Sequence, residues 1–205
     1  MPGPAYTLRT PRLLIRCWEL ADAAAYRDAM AASLDHLRPW MAWVKDEPRP
    51  LDDQVKRMRT LRAMFDLGRD FAYGIFAPAD GVMLGSAGLH PRVGEGAREM
   101  SYWMAAAHAG RGFATEAAAA LARVAFEVDG VRRVEVHCDP RNLASVRVPE
   151  RLGFVHEATL RARDFDEDGS PADTMVWSLF RDAYEGSPVA AAEVEAFDAI
   201  GRRVL

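Results

Sequence analysis

From His108 to Ala119 the chain reads His-Ala-Gly-Arg-Gly-Phe-Ala-Thr-Glu-Ala-Ala-Ala, a glycine turn that runs without interruption into an alanine-rich, helix-favouring segment. Gly110 and Gly112 permit positive φ and let a ligand approach the backbone closely. The helix that follows turns its unpaired N–H groups and positive dipole end on the same spot, which suits a phosphate. Arg111 adds a full positive charge beside it. The same pattern also closes ordinary strand-to-helix turns, so its neighbours decide its meaning.

Upstream, Arg98-Glu-Met-Ser-Tyr-Trp-Met104 is an apolar and aromatic strand ending just before the turn. Downstream, Val131-Arg-Arg-Val-Glu-Val-His-Cys138 is a second strand, and Asp139-Pro-Arg-Asn-Leu-Ala-Ser145 opens another helix that closes at Leu152-Gly-Phe154. This order of strand, glycine turn, helix, strand, Asn-x-x-Ser helix and Leu-Gly-Phe resembles the Gcn5-related N-acetyltransferase (GNAT) family. The opening Leu8-Arg-Thr-Pro-Arg-Leu-Leu-Ile-Arg16 and His36-Leu-Arg-Pro-Trp-Met-Ala-Trp43 resemble its RimJ/RimL branch, whose members acetylate protein N-termini, ribosomal ones included. The resemblance spans about residues 5 to 182.

A length of 205 residues with 50% hydrophobic content suits one domain with a full core. A net charge of −4 argues against a nucleic-acid backbone as partner and suits basic substrates. Cys17 and Cys138 lie in strand-like apolar surroundings, with no Cys-x-x-Cys or Cys/His cluster to hold a metal, so a reducing compartment and no metal are expected. Met1 to Ala5 has neither the basic start nor the apolar run of a signal peptide, and no stretch reaches membrane-spanning length. A cytoplasmic location is expected, with no membrane partner.

A first strand is expected near Leu8 to Cys17, with Pro11 marking an edge or bulge, then helices from Ala21 to Ala32, Leu34 to Met41 and Asp52 to Leu67. Asp70 to Ala77 and Val82 to Pro91 flank Asp80-Gly81, a hairpin signal. Arg98 to Ala105 is the fourth strand, Phe113 to Val128 the phosphate-binding helix, Arg132 to Asp139 the fifth strand and Asn142 to Leu152 the next helix. Phe154 to Asp164 and Thr174 to Phe180 form a final hairpin, and the segment from about 188 to Leu205 is expected as a C-terminal helical extension. The fold class is α+β: a mixed, mainly antiparallel seven-stranded sheet flanked by helices. The resemblance implies acetyl-CoA bound where strands four and five splay, without a metal.

In the family the turn begins with glutamine or arginine, then two residues, glycine, one residue, and glycine or alanine. Gly112 and Ala114 match the last two positions, while Ala109 occupies the first and removes a side chain. Pyrophosphate is held mainly by backbone N–H groups, so binding is expected to survive through Gly110, Arg111, Gly112, Phe113, Ala114 and Thr115. The resemblance places Asn142 on the pantetheine arm; the residue type equally suits a helix N-cap. Ser145, one turn further on the same face, is implied as the proton donor to the departing thiolate. Pro149 stands inside that helix, where it cannot donate to the Ser145 carbonyl, so a kink or a later start is expected.

The implied reaction is direct attack of an amine on the thioester. At pH 7 the neutral form costs roughly 1 kcal/mol for an α-amine and about 4 to 5 kcal/mol for lysine, so a terminal amine needs only a weak base. Asp164 matches an acidic position of the RimL branch. Glu99 shares its strand face with Ser101 and Trp103. Glu116, in the first helical turn, suits a structural role better. Backbone N–H groups near Trp103 or Met104 are candidates for the oxyanion donor. Cys138 is a rival nucleophile, but a buried structural thiol fits its surroundings better.

Trp40 and Trp43 flank the segment that borders the substrate in this branch, with His36 and Arg38 nearby, whereas Tyr73 and Tyr102 suit core packing. A protein α-amine, a ribosomal-protein N-terminus in particular, is the implied acceptor. A small amine or antibiotic is a second reading, and a non-catalytic acyl-CoA-binding module, kept open by Ala109 and Pro149, a third. Family members are often dimers, so the resemblance admits a homodimer.

Overall fold

The structure is a computed structural model and describes residues 4–205; the part of the signal-peptide reading that concerns Met1 to Gly3 lies outside them. Among the described residues nine strands form one sheet: β1 (Thr7–Arg9), β2 (Leu14–Cys17), β3 (Phe71–Phe76), β4 (Met83–His90), β5 (Ala97–Met104), β6 (Arg133–Cys138), β7 (Val155–Phe165), β8 (Pro171–Phe180) and β9 (Glu195–Phe197). Their order is β7-β8-β6-β5-β4-β3-β2-β1-β9. Only β5 and β6 run parallel, and the connection between them is α4 (Phe113–Glu127), as a parallel pair requires. The remaining helices are α1 (Ala23–Ala31), α2 (Leu34–Leu37), α3 (Leu51–Asp66), α5 (Leu143–Arg151) and α6 (Arg181–Tyr184).

Strand alternation sorts the core onto two faces. On one, the buried alanines Ala117 to Ala120 and Ala122 of α4 sit among Met100, Val134, Val136 and Trp177. Their short side chains let the helix lie close to the sheet. On the other, Trp18, Tyr26, Met30, Met58 and Trp103 form a second cluster beneath α1 and α3. Rings within this cluster meet edge-on, as Tyr26 does with Trp103 at 5.8 Å between centroids.

Two features differ from the sequence expectation, and both raise the strand count from seven to nine. The first expected strand is a hairpin: Pro11 falls in the turn, where Thr10 N–H bonds the Leu13 carbonyl at 3.0 Å, and β1 and β2 pair antiparallel. The C-terminal segment is not helical. It folds back as turns and β9, which pairs with β1 while Val189, Val194 and Ala196 are buried. Burial of these three side chains and closure of the β1 edge outweigh the helix propensity of its alanines.

One buried carboxylate anchors the segment that carries the exposed tryptophans. Glu47, whose side chain is fully buried, accepts from Gln54 Nε2 (2.6 Å), Arg57 Nη1 (2.9 Å) and the Arg49 backbone N–H (3.0 Å). Arg57 in turn lies 5.0 Å from the Trp43 ring centroid and 5.2 Å from that of Tyr26. Glu47→Ala should lower unfolding free energy by about 3 kcal/mol, the scale for breaking a buried pair from one side, with urea denaturation as the measurement.

Candidate active site

The parallel ladder between β5 and β6 is short. Ala97 to Met100 pair with Arg133 to Val136, and beyond that point the strands part: β5 continues against β4 only, and β6 against β8 only. The Ala105 N–H bonds the Leu84 carbonyl at 2.8 Å, so by alternation the N–H groups of Trp103 and Ser101 also turn toward β4. Those of Tyr102 and Met104 turn toward the gap. Of the two expected oxyanion donors, Met104 therefore has the backbone orientation and Trp103 does not; the Trp103 side chain packs on the acceptor face instead.

The gap opens into a groove of about 930 Å³ that runs from the phosphate turn to the exposed tryptophans. At one end Gly110 and Gly112 have φ of 75° and 78°, and the first helical bond of α4 runs from Glu116 N–H to the Gly112 carbonyl. The N–H groups of Phe113, Ala114 and Thr115 therefore have no intrahelical partner, and no side chain caps them. That set fits a pyrophosphate. Arg111 is exposed, and Arg147 and Arg151 stand one turn apart on α5, also at the groove. Glu116 is structural: it accepts from Thr10 Oγ1 (2.6 Å), the Arg12 N–H (3.1 Å) and Arg12 Nε (2.6 Å), tying the β1–β2 turn to the helix.

At the centre, Asn142 is the N-cap of α5, its Oδ1 accepting from Ser145 N–H at 3.1 Å, which leaves the amide Nδ2 free to face a ligand. Helix α5 continues through Pro149, with Tyr102 supplying the donor that the proline lacks. The Ser145 carbonyl, which loses its i+4 donor to Pro149, accepts instead from the Tyr102 hydroxyl at 3.1 Å. Ser145 Oγ lies 3.4 Å from the same hydroxyl. The helix starts at Leu143, without the late start, and Ser145 stays at the groove. Tyr102, expected in the core, is thus part of the site. Burial pushes its hydroxyl pKa up, so it stays protonated. Burial also pushes the Cys138 thiol up to about 11, which leaves it a neutral neighbour of Ser145 rather than a nucleophile.

The acceptor side is lined by Trp40 and Trp43, each 39% exposed, with His36 beside them. Its far wall is the β7–β8 hairpin carrying Asp164, whose Oδ1 accepts from the Phe165 N–H at 2.8 Å. Arg38 does not face a ligand freely: it pairs with Glu167 on that hairpin at 3.9 Å. Tyr73 is buried and donates to the Ala5 carbonyl at 2.9 Å, away from the groove. On the floor, Arg92 grips Glu99 with two hydrogen bonds, one of 2.8 Å from Nε. Burial alone would raise the Glu99 carboxyl, but the Arg92 bonds and charge outweigh it and hold the pKa below the usual carboxylate range. A carboxylate so held attracts an ammonium but takes its proton poorly. Next to it, His137 bonds Glu135 at 2.7 Å. Arg92, Tyr102 and His137 were not singled out for the site from sequence; Tyr102 acts through Ser145, 43 residues on, and nothing local marks that pairing. Among the described residues no cluster of His, Cys, Asp or Glu could hold a metal ion, and no helix is long and apolar enough to cross a membrane.

Residues 12–155 match the profile of the acetyltransferase (GNAT) domain family. YjcK of Bacillus subtilis, described as a probable N-acetyltransferase, is 27% identical over 157 residues, covering 75% of this chain and 86% of that one. The structure of Mycobacterium smegmatis RimJ in complex with CoA-disulfide superposes with a TM-score of 0.78 at 26% identity, covering 94% of this chain and 96% of that one. RimL, a ribosomal L7/L12 alpha-N-protein acetyltransferase solved with coenzyme A, shares the fold with a TM-score of 0.76 at 19% identity, over 85% of this chain and 97% of its own.

The Tyr102–Ser145–Pro149 arrangement makes a coupled prediction. Tyr102→Phe should cost about 1–3 kcal/mol by orphaning the Ser145 carbonyl. Adding Pro149→Ala supplies an N–H four residues on, so the double variant should regain most of that stability in urea denaturation without regaining the rate of acetyl transfer.

Proposed function

Because this chain belongs to the GNAT acetyltransferase family, we propose that it transfers the acetyl group of acetyl-CoA to a protein N-terminal α-amine, in the manner of RimJ and RimL. The observation that carries the reading is the continuous groove. It leads from a bare helix N-terminus, past Ser145, through the gap between β5 and β6, to an acceptor side bordered by aromatic rings and carboxylates. The α-N specificity in the name of RimL and the likeness to RimJ point to the acceptor class.

In this reading the N–H groups of Gly110 to Thr115 hold the pyrophosphate, Arg111 adds charge, and Asn142 Nδ2 bonds the pantetheine arm. The unpaired backbone edge of β5 takes the place of a missing strand partner for the pantetheine amides. Glu99 and Asp164 draw the ammonium of the acceptor into the groove, while Trp40 and Trp43 flank the residues that follow it. As the amine attacks, the Met104 N–H donates to the developing oxyanion. Ser145, held by Asn142 and Tyr102, delivers a proton to the sulfur as the C–S bond breaks.

Two outcomes test the reading. Gly112→Ala places a Cβ at a φ of 78°, and the strain of about 1–2 kcal/mol should raise KM for acetyl-CoA by roughly tenfold with little change in kcat. Mass spectrometry should find one added acetyl on a lysine-free peptide with a free N-terminal Ser or Ala, and none on an N-terminally blocked peptide carrying lysine. The reverse pattern would overturn the acceptor, and transfer only to a small amine such as spermidine would replace it.

A further inference from the structure

Across the floor of the acceptor groove, three polar residues from three separate segments line up. Ser101 on β5 faces the groove, and its Oγ lies 2.7 Å from His90 Nε2 at the end of β4. His90 Nδ1 lies 2.6 Å from Asp70 Oδ1, just before β3. A carboxylate can only accept, so Nδ1 carries the hydrogen toward Asp70, and in the neutral form of the ring Nε2 turns its lone pair on the serine hydroxyl. The His90 side chain is 14% exposed and that of Asp70 31%, so the chain of bonds begins in the groove and ends near solvent.

The backbone is shaped to allow it. A Cβ at Gly88 would come within 2.6 Å of His90 Nε2 and 3.3 Å of the Phe71 carbonyl. Gly88 stands directly opposite Ser101 in the ladder, and its missing side chain is what lets the imidazole cross to the next strand. Ser101 is also the first β5 residue beyond the last rung with β6, where the strands begin to part. The other charged groups facing His90 are Glu99, its partner across the β4–β5 ladder, and Arg92, which holds Glu99; His137 lies beyond, 3.8 Å from Glu99 Oε2.

We propose that Ser101, His90 and Asp70 form the proton relay that deprotonates the acceptor amine, with Ser101 Oγ as the atom that meets it. This rests on the reading of the groove as an amine site. The ammonium gives one proton to Ser101 Oγ as the serine hydroxyl proton passes to His90 Nε2, and Asp70 stabilises the imidazolium. The freed amine forms the C–N bond, and the C–S bond breaks. The second amine proton balances the thiolate through Ser145, and His90 returns its proton to solvent. Glu99 supplies attraction rather than basicity, which its grip by Arg92 already indicates.

The test compares the intact chain with Ser101→Ala and His90→Gln. Acetyl transfer is measured from pH 6 to 9.5, with the lysine-free peptide and separately with spermidine. Acetyl-CoA affinity and thermal unfolding are followed alongside. An α-amine has a reference pKa of about 7.7–8.0, so free amine is scarce at pH 6.5 and plentiful at 9.5. Both variants should lose about tenfold or more in kcat/KM at pH 6.5, and the deficit should shrink to less than about threefold by pH 9.5, with acetyl-CoA affinity unchanged. A deficit equal at every pH, or none at pH 6.5, would overturn the relay. So would an acetylated Ser101 in the intact chain with acetyl-CoA alone, which would make the serine a nucleophile. If the intact chain uses spermidine and not the peptide, the acceptor class falls while the relay is still decided by the spermidine profile; transfer to neither overturns both.

Discussion

The gap between β5 and β6 is the constraint on which the rest of the site depends. Parallel strands joined by a helix normally stay paired along their length, and here they share only the rungs from Ala97 to Met100. Beyond these, the Tyr102 and Met104 N–H groups face a space with no strand in it. Buried backbone groups left unpaired are costly, so a sheet that parts in its middle is stable only if something else supplies the missing partner. A ligand built of amides, laid along the opened edge, does this. The phosphate turn lies at one end of that line and Ser145 beside it, so the binding of one extended molecule is written into the sheet itself.

The same gap explains why Tyr102 and Pro149 belong together. A side chain on β5 pointing to the α4 face can reach α5 only because no β6 residue is paired beside it. Tyr102 spans the space and bonds the one carbonyl of α5 that Pro149 leaves without a donor. A proline that would weaken an isolated helix becomes here the reason for a cross-link between helix and sheet. The link passes through Ser145, the residue proposed to stand beside the sulfur. On the other face the same strand carries Glu99 and Ser101. In the proposed reading β5 would serve the thioester with its even residues and the acceptor with its odd ones.

Features carried by local sequence were legible before the structure. Helix α4 begins at Phe113 and α5 at Leu143, directly after Asn142, because glycine turns and N-caps act within a few residues. The face shared by Glu99, Ser101 and Trp103 followed from alternation alone. What escaped the sequence depends on partners far along the chain. The Tyr102 bond to Ser145 joins residues 43 apart, and the Glu116 bond to Thr10 joins residues 106 apart. His90 sits beside a proline and reads as a strand end; only the β4–β5 register shows that Gly88 clears its way to Ser101. The C-terminal segment was misread for a related reason: its alanines favour a helix locally, and the open edge of β1 that recruits Glu195 to Phe197 has no signature nearby.

The chemistry available in the groove bears on the acceptor it can serve. Glu99 is held as a stable anion, and the Cys138 thiol is raised out of use. Presenting a neutral lysine at pH 7 costs roughly 4 to 5 kcal/mol, whereas an α-amine requires only roughly 1 kcal/mol. An enzyme acting on lysine must lower the substrate's pKa by desolvating it, which calls for a closed, apolar pocket. This groove is instead floored by Glu99 and its partner Arg92 and bordered by half-exposed Trp40 and Trp43. Anions on the floor stabilise the ammonium form, so they would raise the cost for an amine that is already hard to deprotonate. For the proposed α-amine acceptor the same anions would add affinity while the neutral form costs only roughly 1 kcal/mol.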